Sequence, residues 1–240
     1  SSDLVRTLHG LAHDLVRDRP GLVNLDDRFQ IVDENEAGRI RTQIVQSWLS
    51  SHPEFVDHYL SDDLNESQVN RVVRKDLPGQ FNSLANAFIR KVKDYRLTPE
   101  RLRVLMEDIP VPLPLAEMGI DLYTEYQRAL NYRGMVDFDD LIGLALQALE
   151  TDPDYLERWQ HRWPFILEDE SQDSSRLQEQ ILAKLAGKQG NWVRVGDPNQ
   201  AIFETFTTAS PDFLRKFIQR EDVIHRNLPN SGRSDRKSVV

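Results

Sequence analysis

Two short polar clusters carry the residue types that phosphoryl chemistry needs. The first, Asp169-Glu170-Ser171-Gln172-Asp173, follows directly on the apolar run Pro164-Phe165-Ile166-Leu167. A carboxylate at such a tip holds Mg²⁺ through water, while a neighbouring one polarises a water for attack on a phosphoanhydride. The same five residues also suit a solvated acidic turn. The second cluster is Val195-Gly196-Asp197-Pro198-Asn199-Gln200-Ala201-Ile202-Phe203, after the short apolar run Trp192-Val193-Arg194-Val195. Glycine permits a close backbone approach, and the Gln200 amide donates or accepts at a ligand phosphate or an attacking water. Gly-Asp-Pro-Asn is equally a sequence that favours turns by itself.

Both clusters need elements that bring them to one place. Two apolar runs, each ending in polar residues and separated by a helical segment from about Ser175 to Ala186, predict a strand–helix–strand unit. Such a unit belongs to a parallel α/β sheet, whose ligand crevice lies beyond the carboxyl ends of the strands. Ser210-Pro211 opens a further helix, with a capping residue followed by proline at the first helical position. Upstream, apolar residues recur three and four apart, as at Leu84, Phe88 and Val92. Helices are expected over Leu4 to Arg17, Glu36 to Ser50, Glu66 to Lys75, Gln80 to Asp94 and Pro99 to Glu107. Two more, from about Asp121 to Tyr132 and Asp137 to Glu150, follow the proline-rich stretch Pro110-Val111-Pro112-Leu113-Pro114, where the organisation divides. Asp137, Asp139 and Asp140 resemble a metal cluster in composition, but acids of this kind also favour a helix N-terminus, and they are not read as ligands.

Composition narrows the function. The 240 residues are 39% hydrophobic, enough for one substantial core or two modest ones. No apolar run approaches the roughly 20 residues that cross a bilayer, so a soluble protein without membrane partners is expected. Cysteine is absent, which excludes disulfides and thiol chemistry and fits a reducing, cytoplasmic setting. A formal net charge of −9 argues against general attraction to nucleic acid. Contact with nucleic acid is then expected to be local.

At both clusters the chain resembles the superfamily 1 DNA helicases of the UvrD/Rep/PcrA type, whose corresponding motifs usually read Asp-Glu-Phe-Gln-Asp and Gly-Asp-x-x-Gln-Ser-Ile-Tyr. Further matches fall in order. Val5-Arg6-Thr7-Leu8-His9-Gly10 resembles the family's Thr-Phe-His-Ser element, and Arg28 to Glu34 with the helices after it resembles its inserted helical subdomain. Tyr123 to Gln127 followed by Val136-Asp137-Phe138-Asp139-Asp140-Leu141 resembles the return to the motor domain, and Leu228 to Ser234 a variant of its Asn-Tyr-Arg-Ser element. The resemblance implies an α/β fold: a partial RecA-like parallel sheet of the P-loop NTPase type with a helical insertion. Its implied layout is a motor segment at 1–17, the insertion at 18–114 and the rest of the motor domain at 115–240.

The resemblance also implies roles. Asp169 organises Mg²⁺ with Glu170, which is the catalytic base; Gln172, Gln200 and Arg233 bind ATP, and Gln200 and Arg233 also act in its hydrolysis. Thr7, His9 and Phe203 line the path of single-stranded DNA, an aromatic platform there stacking on a base without reading it. Bland alternatives stand beside these: His9 packing on an amphipathic helix, Phe203 in a core face, Arg233 in a solvated basic run. The chain departs from the family at Ser171, where an aromatic residue is usual, at Glu204 to Thr207, where aromatic-Arg-Gly often stands, and at Gly232, where tyrosine is common. Gly-x-x-x-x-Gly-Lys, the loop that cradles phosphates, is absent. The expectation is therefore a fragment of an ATP-dependent 3′-to-5′ DNA helicase that does not turn over ATP alone, acting in the parent on single-stranded, forked or gapped DNA. Self-association through an exposed sheet edge is expected, and a non-catalytic DNA-binding or partner-docking module is the competing class.

Overall fold

The computed structural model describes residues 5–57, 60, 63, 65–188, 190–200 and 208–227. Eleven α-helices and four short strands are found among them. Helix α1 (Leu8–Asp18) starts where Thr7 accepts the Gly10 N–H at 3.0 Å, and it turns Leu11, Ala12, Leu15 and Val16 inward. Those residues meet α8 (Phe138–Thr151), which buries Leu141, Ile142, Ala145, Leu146, Ala148 and Leu149. Against α8 also lie α9 (Pro153–Arg162) and α10 (Arg176–Ala186), giving a core that reaches Trp192 on the last strand. A side-chain bond ties α9 to α1: Tyr155 donates its hydroxyl hydrogen to the Leu15 carbonyl at 2.6 Å.

A second, purely helical layer is built from α2 (Glu34–Ser51), α5 (Leu77–Asp94) and α7 (Pro114–Tyr132). Its core joins Ile40, Ile89, Tyr126 and Leu130 on one side and Val45, Phe81, Met118 and Leu122 on the other. The short helices α3 (Pro53–Asp57), α4 (Glu66–Arg71) and α6 (Pro99–Glu107) complete it. Strand β1 (Gln30–Ile31) leads into this layer and β2 (Met135–Val136) leads out of it. The two pair in parallel, Gln30 with Met135 and Ile31 with Val136, so the chain re-enters beside the point where it left. A second parallel pair joins β3 (Ile166–Glu168) to β4 (Trp192–Arg194), with α10 as the connection.

The strand–helix–strand unit thus matches its sequence pattern, and the fold is helix-rich with small parallel sheets. Differences have local causes. Helix α7 begins at Pro114 rather than near Asp121, because proline suits the first helical position. The expected break between Lys75 and Gln80 is bridged by a π-helical turn, Val72–Asp76, in which the Leu77 N–H reaches the Val72 carbonyl. Such a widened turn carries the helix up to Pro78, which lacks an N–H to continue the regular pattern. Helix α9 is not among the expected helices although Asp152-Pro153 carries the same cap-and-proline signal as Ser210-Pro211, whereas strands β1 and β2, two residues each, are too short to show a pattern. Helix α11 (Pro211–Ile218) starts at Ser210-Pro211 as the capping pattern requires.

Candidate functional site

Parallel pairing in the register Ile166–Trp192, Leu167–Val193 and Glu168–Arg194 puts the two polar clusters side by side. The three consecutive acids divide in function. Glu168 points inward, where it accepts from the Ser174 hydroxyl, the Trp192 indole at 3.1 Å and Arg194 at 3.3 Å. Arg194, whose side chain is 1% exposed, also donates to Glu179 at 2.9 Å. Glu168 is therefore an internal anchor, and only Asp169 and Glu170 face solvent. Glu170 sits in the left-handed region at φ 51°, a conformation that costs energy for any residue but glycine and is favoured at functional turns. Its N–H donates to the Asp169 carboxylate at 3.0 Å.

Gln172 joins the clusters. Its side chain is buried, its amide N–H donates to Glu170 at 2.7 Å, and its amide oxygen accepts the Asp197 backbone N–H at 3.1 Å. Ser171 adds two ties to the Val195 carbonyl, from its N–H and from its hydroxyl, each at 3.0 Å. Gly196 is the residue that makes this contact possible: a Cβ there would lie 2.5 Å from the Gln172 amide oxygen and 2.6 Å from the Ser171 hydroxyl. The close backbone approach that the glycine permits is made in the fold to the acidic loop. On the far side, Asp197 accepts from the Asn199 N–H at 2.9 Å and the Gln200 amide at 3.0 Å. These bonds hold the Asp197 carboxyl below its ordinary range, the backbone bond from Asn199 contributing most. Gln200 is exposed and lies on the same tip.

The donor set is suited to a hydrated divalent cation. Mg²⁺ is ordinarily held by one or two carboxylates, with water and substrate phosphates completing its shell, and Asp169 and Glu170 supply two exposed carboxylates. Among the described residues no group of three or more acids or histidines forms a closed metal cage.

The other predicted contacts gather elsewhere. Thr7 and His9 line a cleft of about 480 Å³ with Gly10, His13, Ile31, Glu34, Arg41, Arg90, Phe138 and Asp139. His9 meets the Phe138 ring edge-on at a centroid distance of 5.4 Å, so two rings in contact line the cleft. Burial, with help from the Arg90 charge and against Glu34, lowers the His9 pKa. Arg90 lies 3.5 Å from Asp139, and Arg41 donates to Glu34 at 2.8 Å. Burial, reinforced by Asp137 and opposed by Arg90 and Lys93, pushes the Asp139 carboxyl up to about 6. Phe203 and Arg233 lie outside the described residues.

Beneath the cleft is a group that sequence reasoning missed. Lys93, its side chain 3% exposed, lies 2.6 Å from Asp137 and 2.9 Å from Asp140, and Tyr126 donates to Asp137 at 2.8 Å. Burial works to lower the lysine pKa, but Asp140 and Asp137 outweigh it and hold the ammonium charged. Asp137 meanwhile caps α8 through the Asp140 N–H at 2.8 Å, the helix-start role its position suggested. No signal along the chain pairs Lys93 with acids more than 40 residues away; only the helical spacing, which would bury a charge, hints at it.

The sequence resembles those of known proteins. A family model described as the UvrD/REP helicase N-terminal domain matches residues 2–222. The chain is 39% identical over 113 residues to ATP-dependent DNA helicase UvrD2 of Mycobacterium tuberculosis, covering 45% of this chain and 16% of that protein. It is 29% identical over 199 residues to DNA helicase II of Escherichia coli, covering 83% and 23%, and 26% identical over 204 residues to ATP-dependent DNA helicase Rep of Buchnera aphidicola, covering 84% and 25%. It therefore spans a quarter or less of each of these relatives. No described helix is long and apolar enough to cross a membrane. With 221 consecutive residues matched by one family model, the chain belongs to the UvrD/REP helicase N-terminal domain family.

Proposed function

We propose that this chain is part of an ATP-driven DNA motor, a 3′-to-5′ translocase or helicase, and supplies two of its surfaces. The observation that carries the reading is the Gln172 bridge, which locks the exposed Asp169-Glu170 pair to the Gly196–Gln200 turn on one sheet edge. Side chains so arranged face the terminal phosphates of ATP. Asp169, with Glu170 beside it, would hold Mg²⁺, which when bound would neutralise charge on the phosphates. Glu170 accepts a proton from the attacking water at its carboxylate, while Gln200 orients that water or a γ-phosphate oxygen. Gln172, tied at both ends of its amide, acts on the nucleotide through the position it gives Glu170. Arg233, outside the described residues, is assigned to charge stabilisation by resemblance alone.

The second surface is the Thr7–His9 cleft. The rings of His9 and Phe138 stack on bases, and Arg90, its side chain 36% exposed, meets a phosphate, a combination that tolerates any sequence. Phe203, outside the described residues, is assigned to that path by resemblance alone. In a chain of net charge −9, Arg90 is the local cation that binding needs, and the relatives' names, which speak of DNA helicases, support DNA as the polymer. Forked or gapped duplexes are the substrates of the longer protein. The domain reading assigns 1–17 and 115–240 to a RecA-like motor domain and 18–114 to its helical insertion. The packing of α7 on α2 and α5 extends that helical layer beyond 114. With no Gly-x-x-x-x-Gly-Lys in the sequence, turnover requires further polypeptide, and a soluble cytoplasmic setting suits the activity. The β3–β4 pair exposes Phe165, Leu167, Val193 and Val195, and each strand has one neighbour among the described residues, which supports self-association of the isolated chain.

Fluorescence anisotropy with oligo-dT tests the cleft. Wild-type chain is expected to bind, with Arg90→Gln and His9→Ala each weakening binding by about 1 kcal/mol or more. For the nucleotide surface, Glu170→Gln in the full-length protein should abolish DNA-stimulated ATP turnover while leaving ATP binding intact. Magnesium-dependent turnover by the 240-residue chain alone would overturn the requirement for further polypeptide.

A further inference from the structure

The last turn of α5 touches both proposed surfaces. Its consecutive residues Lys93 and Asp94 are 5% and 6% exposed, buried for charged side chains on a helix end. Lys93 grips the N-terminus of α8 through Asp137 and Asp140, and that N-terminus carries Phe138, one of the two rings in the DNA cleft. Asp94 reaches the other way. Its carboxylate accepts the Leu177 N–H at 3.2 Å, and its carbonyl accepts from the Arg176 guanidinium at 3.2 Å, both at the start of α10. The Arg176 guanidinium also lies 5.1 Å from the centre of the Tyr95 ring. Helix α10 is separated from Glu170 only by the turn Ser171–Asp173 and its capping residues, so the start of α10 and the Glu170 backbone cannot shift independently by much.

Leu177 N–H is one of the first-turn donors a helix leaves unsatisfied. A buried carboxylate from a residue 83 positions away is a specific solution, since Ser175 already caps the Gln178 N–H locally. One rigid helical turn thus holds the DNA-side ring through one residue and the nucleotide-side loop through the next.

We propose that Asp94 is a positioning residue that couples occupancy of the Thr7–His9–Phe138 cleft to the placement of the Asp169-Glu170 loop, with Lys93 as the cleft-side attachment. The inference rests on the reading of that cleft as a single-stranded DNA site. DNA seated against Phe138 biases the α8 N-terminus, Lys93 carries the bias into α5, and Asp94 delivers it to α10. Coupling of this kind is a two-site free energy carried by contacts that differ between states.

Hydrogen exchange of this chain, with and without oligo-dT, tests it. In wild type, DNA is expected to slow exchange of backbone amides across 171–179 by about fivefold or more. Asp94→Ala should bind oligo-dT within about twofold of wild type yet lose that slowing, and Asp94→Asn, which keeps an acceptor for Leu177, should retain it. A purely structural role would raise exchange equally with and without DNA and would leave the DNA response intact. If Asp94→Ala folds poorly by circular dichroism, Arg176→Gln removes the neighbouring tie between the same two elements, its bond to the Asp94 carbonyl, and the same loss is expected. Slowing undiminished in the variant, or wild type that binds oligo-dT without any response at 171–179, overturns the coupling. Failure of wild type to bind oligo-dT is a different result: it refutes the cleft reading, and the coupling falls with it.

Discussion

A Cβ built at Gly196 falls 2.5 Å from the Gln172 amide oxygen, 2.6 Å from the Ser171 hydroxyl and 3.0 Å from the Ser171 backbone nitrogen. The backbone nitrogen is least able to move, and the Gln172 amide is the terminal group that must yield. When it does, the bonds to Glu170 and to the Asp197 N–H are lost together. A neutral bond contributes about 1 kcal/mol and one to a charged group somewhat more, the latter discounted here because Glu170 is exposed. Overpacking against Ser171 adds about 1–3 kcal/mol. Gly196→Ala should therefore destabilise the chain by about 2–4 kcal/mol, seen as a lower urea midpoint at unchanged slope. A double-mutant cycle isolates the cause. In a Gln172→Ala background the same alanine should cost at least about 1 kcal/mol less, because the bridge it breaks is already gone. A cost below about 0.5 kcal/mol in wild type, or equal costs in both backgrounds, would refute the bridge as the link between the clusters.

Lys93→Met should destabilise the chain by about 3–5 kcal/mol at pH 7, because Asp137 and Asp140 are left buried without their cation. Both acids then favour the protonated form when folded, so the loss should shrink as pH falls, which thermal melts across pH 5 to 7.5 would read. Asp139, pushed up to about 6 by burial first, binds a proton in the folded state that the unfolded chain releases near its ordinary value of about 4. Its contribution to stability therefore falls as pH rises from about 4 to 6, and the advantage of Asp139→Asn over wild type should grow over that range; a flat difference in urea midpoints would exclude Asp139 as the titrating group. Thr7→Ala should cost about 1 kcal/mol through loss of the α1 cap, and Thr7→Ser should restore it. If Thr7 also contacts DNA, the alanine variant weakens oligo-dT binding in anisotropy measurements under conditions where it remains folded.

Legibility followed the range of the interactions. Capping is local, so Ser175, Ser210 and the helices they open could be read directly, and so could the strand–helix–strand unit, whose apolar runs end in polar tips. What escaped depends on partners far along the chain. Strands β1 and β2 are two residues each, and their pairing is decided by where the helical layer returns the backbone. Nothing along the sequence marks Glu168 as different from the acids after it, and only Arg194, Trp192 and Ser174 converging on it from β4 and the turn show that it faces inward.

The same distinction explains why the motif residues and the residues that position them differ in visibility. Asp169, Glu170 and Gln200 are exposed on strand tips, where chemistry can reach them and where short motifs suffice to mark them. Gln172 and Gly196 stand in the same motifs but act through packing, while Lys93 and Asp94, which also act through packing, fit an ordinary composition for their segment. A lysine and an aspartate in the last turn of a helix normally read as solvated charges, the lysine favoured there by the helix dipole. Burial reverses that meaning: desolvated, each must find an opposite charge or a donor, and the available partners sit at the starts of α8 and α10. The pair of adjacent charges therefore fixes two helix N-termini relative to one another. Because one of those termini carries Phe138 and the other follows Glu170, the geometry that stabilises the fold also relates the two proposed surfaces, and movement at either must strain the α5 end or move it.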